Sequence, residues 1–207
     1  MKKRILCYGD SNTWGFTGGT GERYGEDVRW TARLAALTGY TIIEEGLNGR
    51  TTAFDDPLTP GANGLTYLEP CLKSQAPLDL VIISIGTNDL KANVCGTAGG
   101  SAQGAGMLIQ KTRQVLGDSV PILLISPIAI GYERREMGPL WVLMESCYEQ
   151  SRMFPYFFEI VAKQYSCYFL DAQKFAQAGK ADATHMDEEN HAALAAAVAE
   201  KVREILG

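Results

Sequence analysis

Two histidines are present in the 207-residue chain, and one of them, His185, closes the string Asp182-Ala183-Thr184-His185. A carboxylate three residues ahead of an imidazole, in a turn, can fold back to accept from the ring Nδ1–H, which leaves Nε2 free to act as a base. The group most in need of such a base is a serine hydroxyl. It is a poor nucleophile at neutral pH unless an imidazole takes its proton, a carboxylate holds that imidazole and donors wait for the oxyanion. Ser11, in Gly9-Asp10-Ser11-Asn12-Thr13-Trp14-Gly15, directly follows the first apolar run of the chain. Its neighbour Asp10 points elsewhere by virtue of adjacency and is expected to stabilise a turn. His191 falls inside the last helical pattern, where a surface or capping role is expected.

Five short apolar runs must position these groups: Ile5 to Tyr8, Thr41 to Ile43, Leu78 to Ser84, Val120 to Ser126 and Tyr168 to Leu170. Several lack alternation, as strands buried on both faces of a parallel sheet do. Helical patterns lie between them. Asp27 is expected to cap a helix with Trp30, Leu34 and Leu37 on one face and Gly39 as its stop. Leu194, Val198, Val202 and Ile205 form the stripe of a final helix whose acidic start and basic end suit the macrodipole. The alternation predicts an α/β fold with a doubly wound sheet, a class in which sites gather at the carboxyl ends of the strands. Gly9-Asp10-Ser11-Asn12, Asn48-Gly49-Arg50 and Gly86-Thr87-Asn88-Asp89 each follow a predicted strand, so they are expected to converge at one edge. Asn88-Asp89 could merely cap a turn; Asn88 is read as functional and Asp89 as structural.

The Gly-rich stretch from Cys95 to Gly106 is expected to be a mobile loop leading into a helix near Met107. Ala129 to Pro139 is expected to form an exposed excursion before a helix from about Leu140 to Arg152. Neither an internal repeat nor a linker interrupts the chain, which is expected to form one domain over residues 1–207.

Composition narrows the function. A net charge of −5 without a Lys/Arg stripe argues against nucleic acid as a partner. The N-terminal apolar run stops after four residues, short of the roughly 7–15 of a secretory leader, and no run approaches the roughly 20 needed to cross a bilayer. The five cysteines are scattered, with no CxxC pair, so neither a disulfide framework nor a zinc site is signalled and a reduced, cytoplasmic protein is expected. Cys7 and Cys167 are expected to be small buried hydrophobes. No GxGxxG lies directly between strand and helix, and no cofactor or metal is expected.

Taken together, Gly9-Asp10-Ser11-Asn12-Thr13-Trp14-Gly15, Asn48-Gly49-Arg50-Thr51-Thr52, Gly86-Thr87-Asn88-Asp89 and Asp182-Ala183-Thr184-His185 resemble, in order, the four motifs of the SGNH (GDSL-like) hydrolase superfamily. Arg29-Trp30-Thr31, Glu44-Glu45-Gly46-Leu47, Arg50-Thr51-Thr52 and the run Leu78 to Ile83 are similar to its branch of oligomeric bacterial arylesterases and acyltransferases. The resemblance implies a three-layer α/β/α sandwich around a five-stranded parallel sheet, flavodoxin-like. It also implies a homo-oligomer acting on a small-molecule ester by hydrolysis or by acyl transfer to an alcohol. Ser11 would be the nucleophile, His185 the base and then acid, and Asp182 its orienter. The oxyanion hole would be built from the N–H groups of Ser11 and Gly49 and the Asn88 amide. Asn12 departs from the Leu common after the serine and is placed in the substrate pocket; Trp14 either walls that pocket or packs in the core. A chain without an obvious lid suggests short acyl groups, such as acetyl esters of aryl alcohols or sugars. Two rivals come from other classes: a metal-dependent phosphohydrolase using Asp10, Asp89, Asp182 and His185, and a flavodoxin-like module that only binds.

Overall fold

A computed structural model describes residues 2–132 and 146–207. Strands β1 (Arg4–Gly9), β2 (Thr41–Gly46), β3 (Leu80–Ser84), β4 (Ile122–Ser126) and β5 (Tyr168–Asp171) form one all-parallel sheet in the order β2-β1-β3-β4-β5. This is the strand order of flavodoxin-like folds. The inner strands explain the unbroken apolar runs, because both of their faces are covered. Ile5, Cys7, Leu80, Ile82, Leu123 and Ile125 face one core, and Leu6, Tyr8, Val81, Ile83, Ile122 and Leu124 the other.

The first core is closed by α2 (Trp30–Thr38) and α7 (Glu188–Leu206) through Trp30, Leu34, Leu194, Val198 and Val202. On the opposite face lie α3 (Gly64–Gln75), α4 (Ala98–Leu116) and α6 (Phe154–Gln164), anchored by Leu68, Leu72, Leu108 and Phe158. Two short helices, α1 (Ser11–Trp14) and α5 (Cys147–Arg152), complete the described α-helices. Among the described residues no helix is long and apolar enough to cross a membrane.

Three expectations need correcting. The Gly-rich segment is helical from Ala98 onward, and Thr97 caps it by accepting from Gly100 N at 3.1 Å. Its glycines permit close packing: a Cβ on Gly104 would lie 1.9 Å from Thr52 Oγ1, and one on Gly106 2.9 Å from the Tyr165 ring. Asp27 does not cap α2. Arg29 stands at the N-cap without a side-chain capping bond, Trp30 N donates to His191 Nδ1 at 3.3 Å, and Leu37 is 48% exposed. Gly39 does end that helix in the left-handed region. Of the excursion expected after Ala129, residues 133–139 lie outside the described residues, as do residues 140–145 of the expected helix; α5 spans Cys147–Arg152. Cys7 is fully buried, whereas Cys167 is partly exposed.

Candidate active site

At the carboxyl edge of the sheet, β1 ends in Gly9 and the chain turns into α1. Asp10 is the N-cap of that helix, accepting from Asn12 N at 3.0 Å, and Ser11 begins it. The helix lies against the end of β2, where a Cβ on Gly46 would sit 2.2 Å from Trp14 N, so only glycine admits this approach. Because β1 pairs with β2 on one side and β3 on the other, the turns that follow those two strands flank Ser11.

His185 reaches Ser11 from the loop that precedes α7. Its Nε2 is 2.8 Å from Ser11 Oγ and its Nδ1 is 2.5 Å from Asp182 Oδ2. A carboxylate accepts, so Nδ1 carries the proton and Nε2 offers its lone pair to the serine hydroxyl. Asp182 Oδ1 also accepts from Thr184 N (3.0 Å) and His185 N (2.9 Å), closing a turn in which Ala183 takes a positive φ of 54°. Burial pushes the Asp182 carboxyl up. The hydrogen bond and charge of His185, with the two backbone donors, outweigh it and hold the group below its usual value.

The other expected donors lie in the turns that follow the two strands beside β1. Gly49, at φ 78°, lies in the turn after β2, and Asn88 in a 3₁₀ turn after β3. Asn88 Nδ2 donates one hydrogen to Arg50 O at 3.1 Å, leaving its second. Among the described residues, Ser11 N and Gly49 N donate to no protein acceptor. Arg50 braces this corner. Buried over the Tyr8 ring at 4.3 Å, its Nη1 donates to Gly9 O (3.0 Å) and Glu45 O, tying the ends of β1 and β2 together. Asp89, fully buried, accepts from Thr52 N (2.8 Å) and Thr52 Oγ1 (2.6 Å). Burial pushes both Asp10 and Asp89 up to about 6.

Such a Ser–His–Asp line with unpaired N–H donors nearby suits acyl chemistry, and the chain's relatives agree. A model of the GDSL-like lipase/acylhydrolase family matches residues 7–197. The chain belongs to the GDSL-like lipase/acylhydrolase family. Among solved structures it is similar to an aryl esterase of M. smegmatis, with 35% identity, a TM-score of 0.89, and 99% of this chain and 100% of that one covered. It is likewise similar to a carbohydrate acetylesterase of Sinorhizobium meliloti, with 33% identity, a TM-score of 0.90, and 99% and 100% covered. No curated protein matches it. This GDSL-like chain is a carboxylic ester hydrolase.

The remaining sequence candidates of this GDSL-like hydrolase fall into place unevenly. Asn12, expected in the substrate pocket, turns its amide to the His185 loop: Oδ1 accepts from Met186 N at 2.9 Å and Nδ2 donates to Thr184 O at 3.4 Å. Trp14 is half-buried, with the Arg23 guanidinium 5.4 Å above its ring. His191 is not on the surface. It is fully buried, and burial drives its pKa down to about 4, while its Nδ1 accepts from the N-terminus of α2. Phe16 escaped sequence reasoning altogether, yet its ring centroid lies 4.3 Å from that of His185. No local pattern marks it, because the contact depends on the 16–23 segment folding back on itself through the Phe16–Arg23 bridge. The four donors of the metal reading are dispersed. Asp10 caps α1, Asp89 holds Thr52 and Asp182 holds His185, and among the described residues no group of three or more His, Cys, Asp or Glu could hold an ion.

Proposed function

We propose that this hydrolase cleaves small, short-acyl carboxylic esters through an acyl enzyme on Ser11. The observation that carries the reading is the continuous line Asp182 Oδ2, His185 Nδ1, His185 Nε2, Ser11 Oγ at 2.5 and 2.8 Å. Ser11 Oγ attacks the ester carbonyl carbon as its proton passes to His185 Nε2, and Asp182 stabilises the imidazolium. The carbonyl oxygen, now negative, accepts from Ser11 N, Gly49 N and the free N–H of Asn88. Collapse breaks the bond to the alcohol, which leaves with the proton from His185. Water then repeats the sequence on acyl-Ser11 and releases the acid; a second alcohol in its place receives the acyl group.

The short-acyl preference rests on Phe16 beside His185, with Trp14 against Phe16, and on the likeness to an aryl esterase and a carbohydrate acetylesterase. We place the protein in the cytoplasm, as a homo-oligomer that acts on a small molecule and engages neither nucleic acid nor membrane. Free thiols on all five cysteines and a net charge of −5 support this.

The test joins residue to substrate. Ser11→Ala should abolish hydrolysis of p-nitrophenyl acetate, and a fluorophosphonate should label wild type once per chain but not the variant. EDTA should leave wild-type activity intact. Across p-nitrophenyl esters from acetyl to lauroyl, run beside acetylated sugars, kcat/KM should be highest for the shortest acyl groups; a maximum at lauroyl would overturn the short-acyl reading, and an active Ser11→Ala would overturn the mechanism.

A further inference from the structure

The loop that carries His185 is tied mainly to itself. Gly179 N donates to His185 O (2.8 Å), Ala183 N to Gly179 O (3.0 Å), and Asp182 accepts from Thr184 N and His185 N. A further bond, Gly131 N to Ala183 O at 2.8 Å, joins it to the segment after β4. None of these bonds fixes the loop against the element that carries the nucleophile. Among the described residues, the hydrogen bonds between that loop and α1 are the His185–Ser11 contact and the two made by the Asn12 side chain.

Those two bonds have a particular form. One amide accepts from the backbone of residue 186 and donates to the backbone of residue 184, as a neighbouring strand would, and so grips the chain on both sides of His185. The Met186 bond is short at 2.9 Å and the Thr184 bond long at 3.4 Å, so the acceptor half dominates. Asn12 is itself fixed, since its backbone N donates to Asp10 Oδ1 and it directly follows Ser11. Asp182 sets the tautomer and tilt of the imidazole within its loop. What remains to be set is the distance of that loop from Ser11, and a displacement of about 1 Å between reacting groups can cost 10²-fold in rate.

We infer that Asn12 is a positioning residue for the acyl-transfer step, clamping the backbone on both sides of His185 so that Nε2 stays within reach of Ser11 Oγ. This rests on the assignment of Ser11 and His185 made above. The Asn12 side chain bonds the backbone of Thr184 and Met186, and so acts through His185. An apolar side chain at this place, of which Leu is the nearest in size, fills the space but cannot grip the loop.

The test is a double-mutant cycle on kcat with p-nitrophenyl acetate, using Asn12→Leu, His185→Ala and the pair. In the wild-type background Asn12→Leu should lower kcat by about 10–10², with KM within about threefold. In the His185→Ala background the same change should alter the residual rate by less than about twofold, because no base is left to position. Asn12→Asp keeps the acceptor for Met186 N but loses the donor to Thr184 O, and should fall between wild type and Asn12→Leu. If Asn12→Leu does not fold by circular dichroism, the same cycle is run with Asn12→Asp. Equal losses in both backgrounds, or no loss in either, would overturn the inference while an inactive Ser11→Ala keeps the nucleophile assignment; an active Ser11→Ala would remove that assignment instead.

Discussion

His185 and His191 stand six residues apart, on the loop before α7 and in the first turns of the helix itself, and their surroundings differ in every term that governs an imidazole. The loop leaves the His185 side chain 15% exposed, gives its Nδ1 a carboxylate and turns its Nε2 toward a hydroxyl. The helix buries His191 completely against α2, gives its Nδ1 a backbone N–H to accept from and leaves Nε2 with no hydrogen-bond partner among the described residues. Burial, with the positive charges of Arg33 and Arg29 adding to it and Asp187 opposing, keeps His191 neutral down to about 4. One ring is arranged to gain a proton and share it with an acid; the other is arranged never to gain one. The contrast teaches that the partner on Nδ1, donor or acceptor, separates a base from a structural cap when residue type and sequence neighbourhood do not.

The sharpest way to break this comparison is to remove each ring in turn. His185→Ala should lower kcat by about 10⁴–10⁶, whereas His191→Gln, which keeps an acceptor for Trp30 N, should stay within a few-fold of wild type. Steady-state assays on folded protein that gave the reverse order would exchange the two roles. A smaller effect is expected from the acid. Asp182→Asn preserves shape but removes the charge and favours the wrong tautomer, and kcat should fall by about 10–10³; the loss stays below that of a fully separated triad because the backbone bonds at Thr184 and His185 still form the turn. An Asp182→Asn enzyme indistinguishable from wild type would show that the carboxylate serves only the loop.

The smallest effect concerns His191 and stability. The unfolded chain protonates this imidazole near 6.5, the folded protein only near 4. Between those values the unfolded state binds the extra proton, so the contribution of His191 is complete above about 6.5 and is lost as pH falls toward 4. Asp10 and Asp89 work with the opposite sign: raised to about 6, they hold protons in the folded state that the unfolded chain has released, so their contribution weakens as pH rises from about 4 to 6. Comparing urea unfolding of wild type and His191→Gln cancels the carboxylates. The difference between the two proteins should shift by about 2–3 kcal/mol from pH 7 to 4.5, in favour of the variant at the lower pH; parallel curves would mean that His191 is not held neutral.

Much of this arrangement was legible in the residues, and the failures have a common cause. The apolar runs of β1, β3 and β4 announce themselves because burial on both faces removes alternation, and the motifs after β1, β2 and β3 could be placed together because a parallel sheet sends its carboxyl ends to one edge. What was missed depends on distances between elements. The glycines of α4 look like a loop on local propensity, which counts roughly 1 kcal/mol against each one in a helix; packing against Thr52 and Tyr165 selects them all the same. Asp27 looks like a cap only until His191, 161 residues from Trp30, supplies the acceptor. A signal for His191 was in fact present: it lies three residues before Leu194 and seven before Val198, on the apolar stripe of α7. Phe16 left no such trace, and Arg50 stood out only as a member of its motif, since the partners of both are defined only by the folded turns.

The close approach of α4 to the loop after β2 carries a consequence for how this sequence can drift. Gly104 has no room for a Cβ because Thr52 Oγ1 occupies the place, and that hydroxyl is committed to Asp89. A larger residue at 104 displaces Thr52; a Thr52 that moves leaves a buried carboxylate short of a donor; a neutral residue at 89 frees the hydroxyl but surrenders the tie between two of the motifs that flank Ser11. Each single step is penalised although a coordinated exchange of all three need not be, so Thr52, Asp89 and Gly104 form one heritable unit scattered over 53 residues of chain.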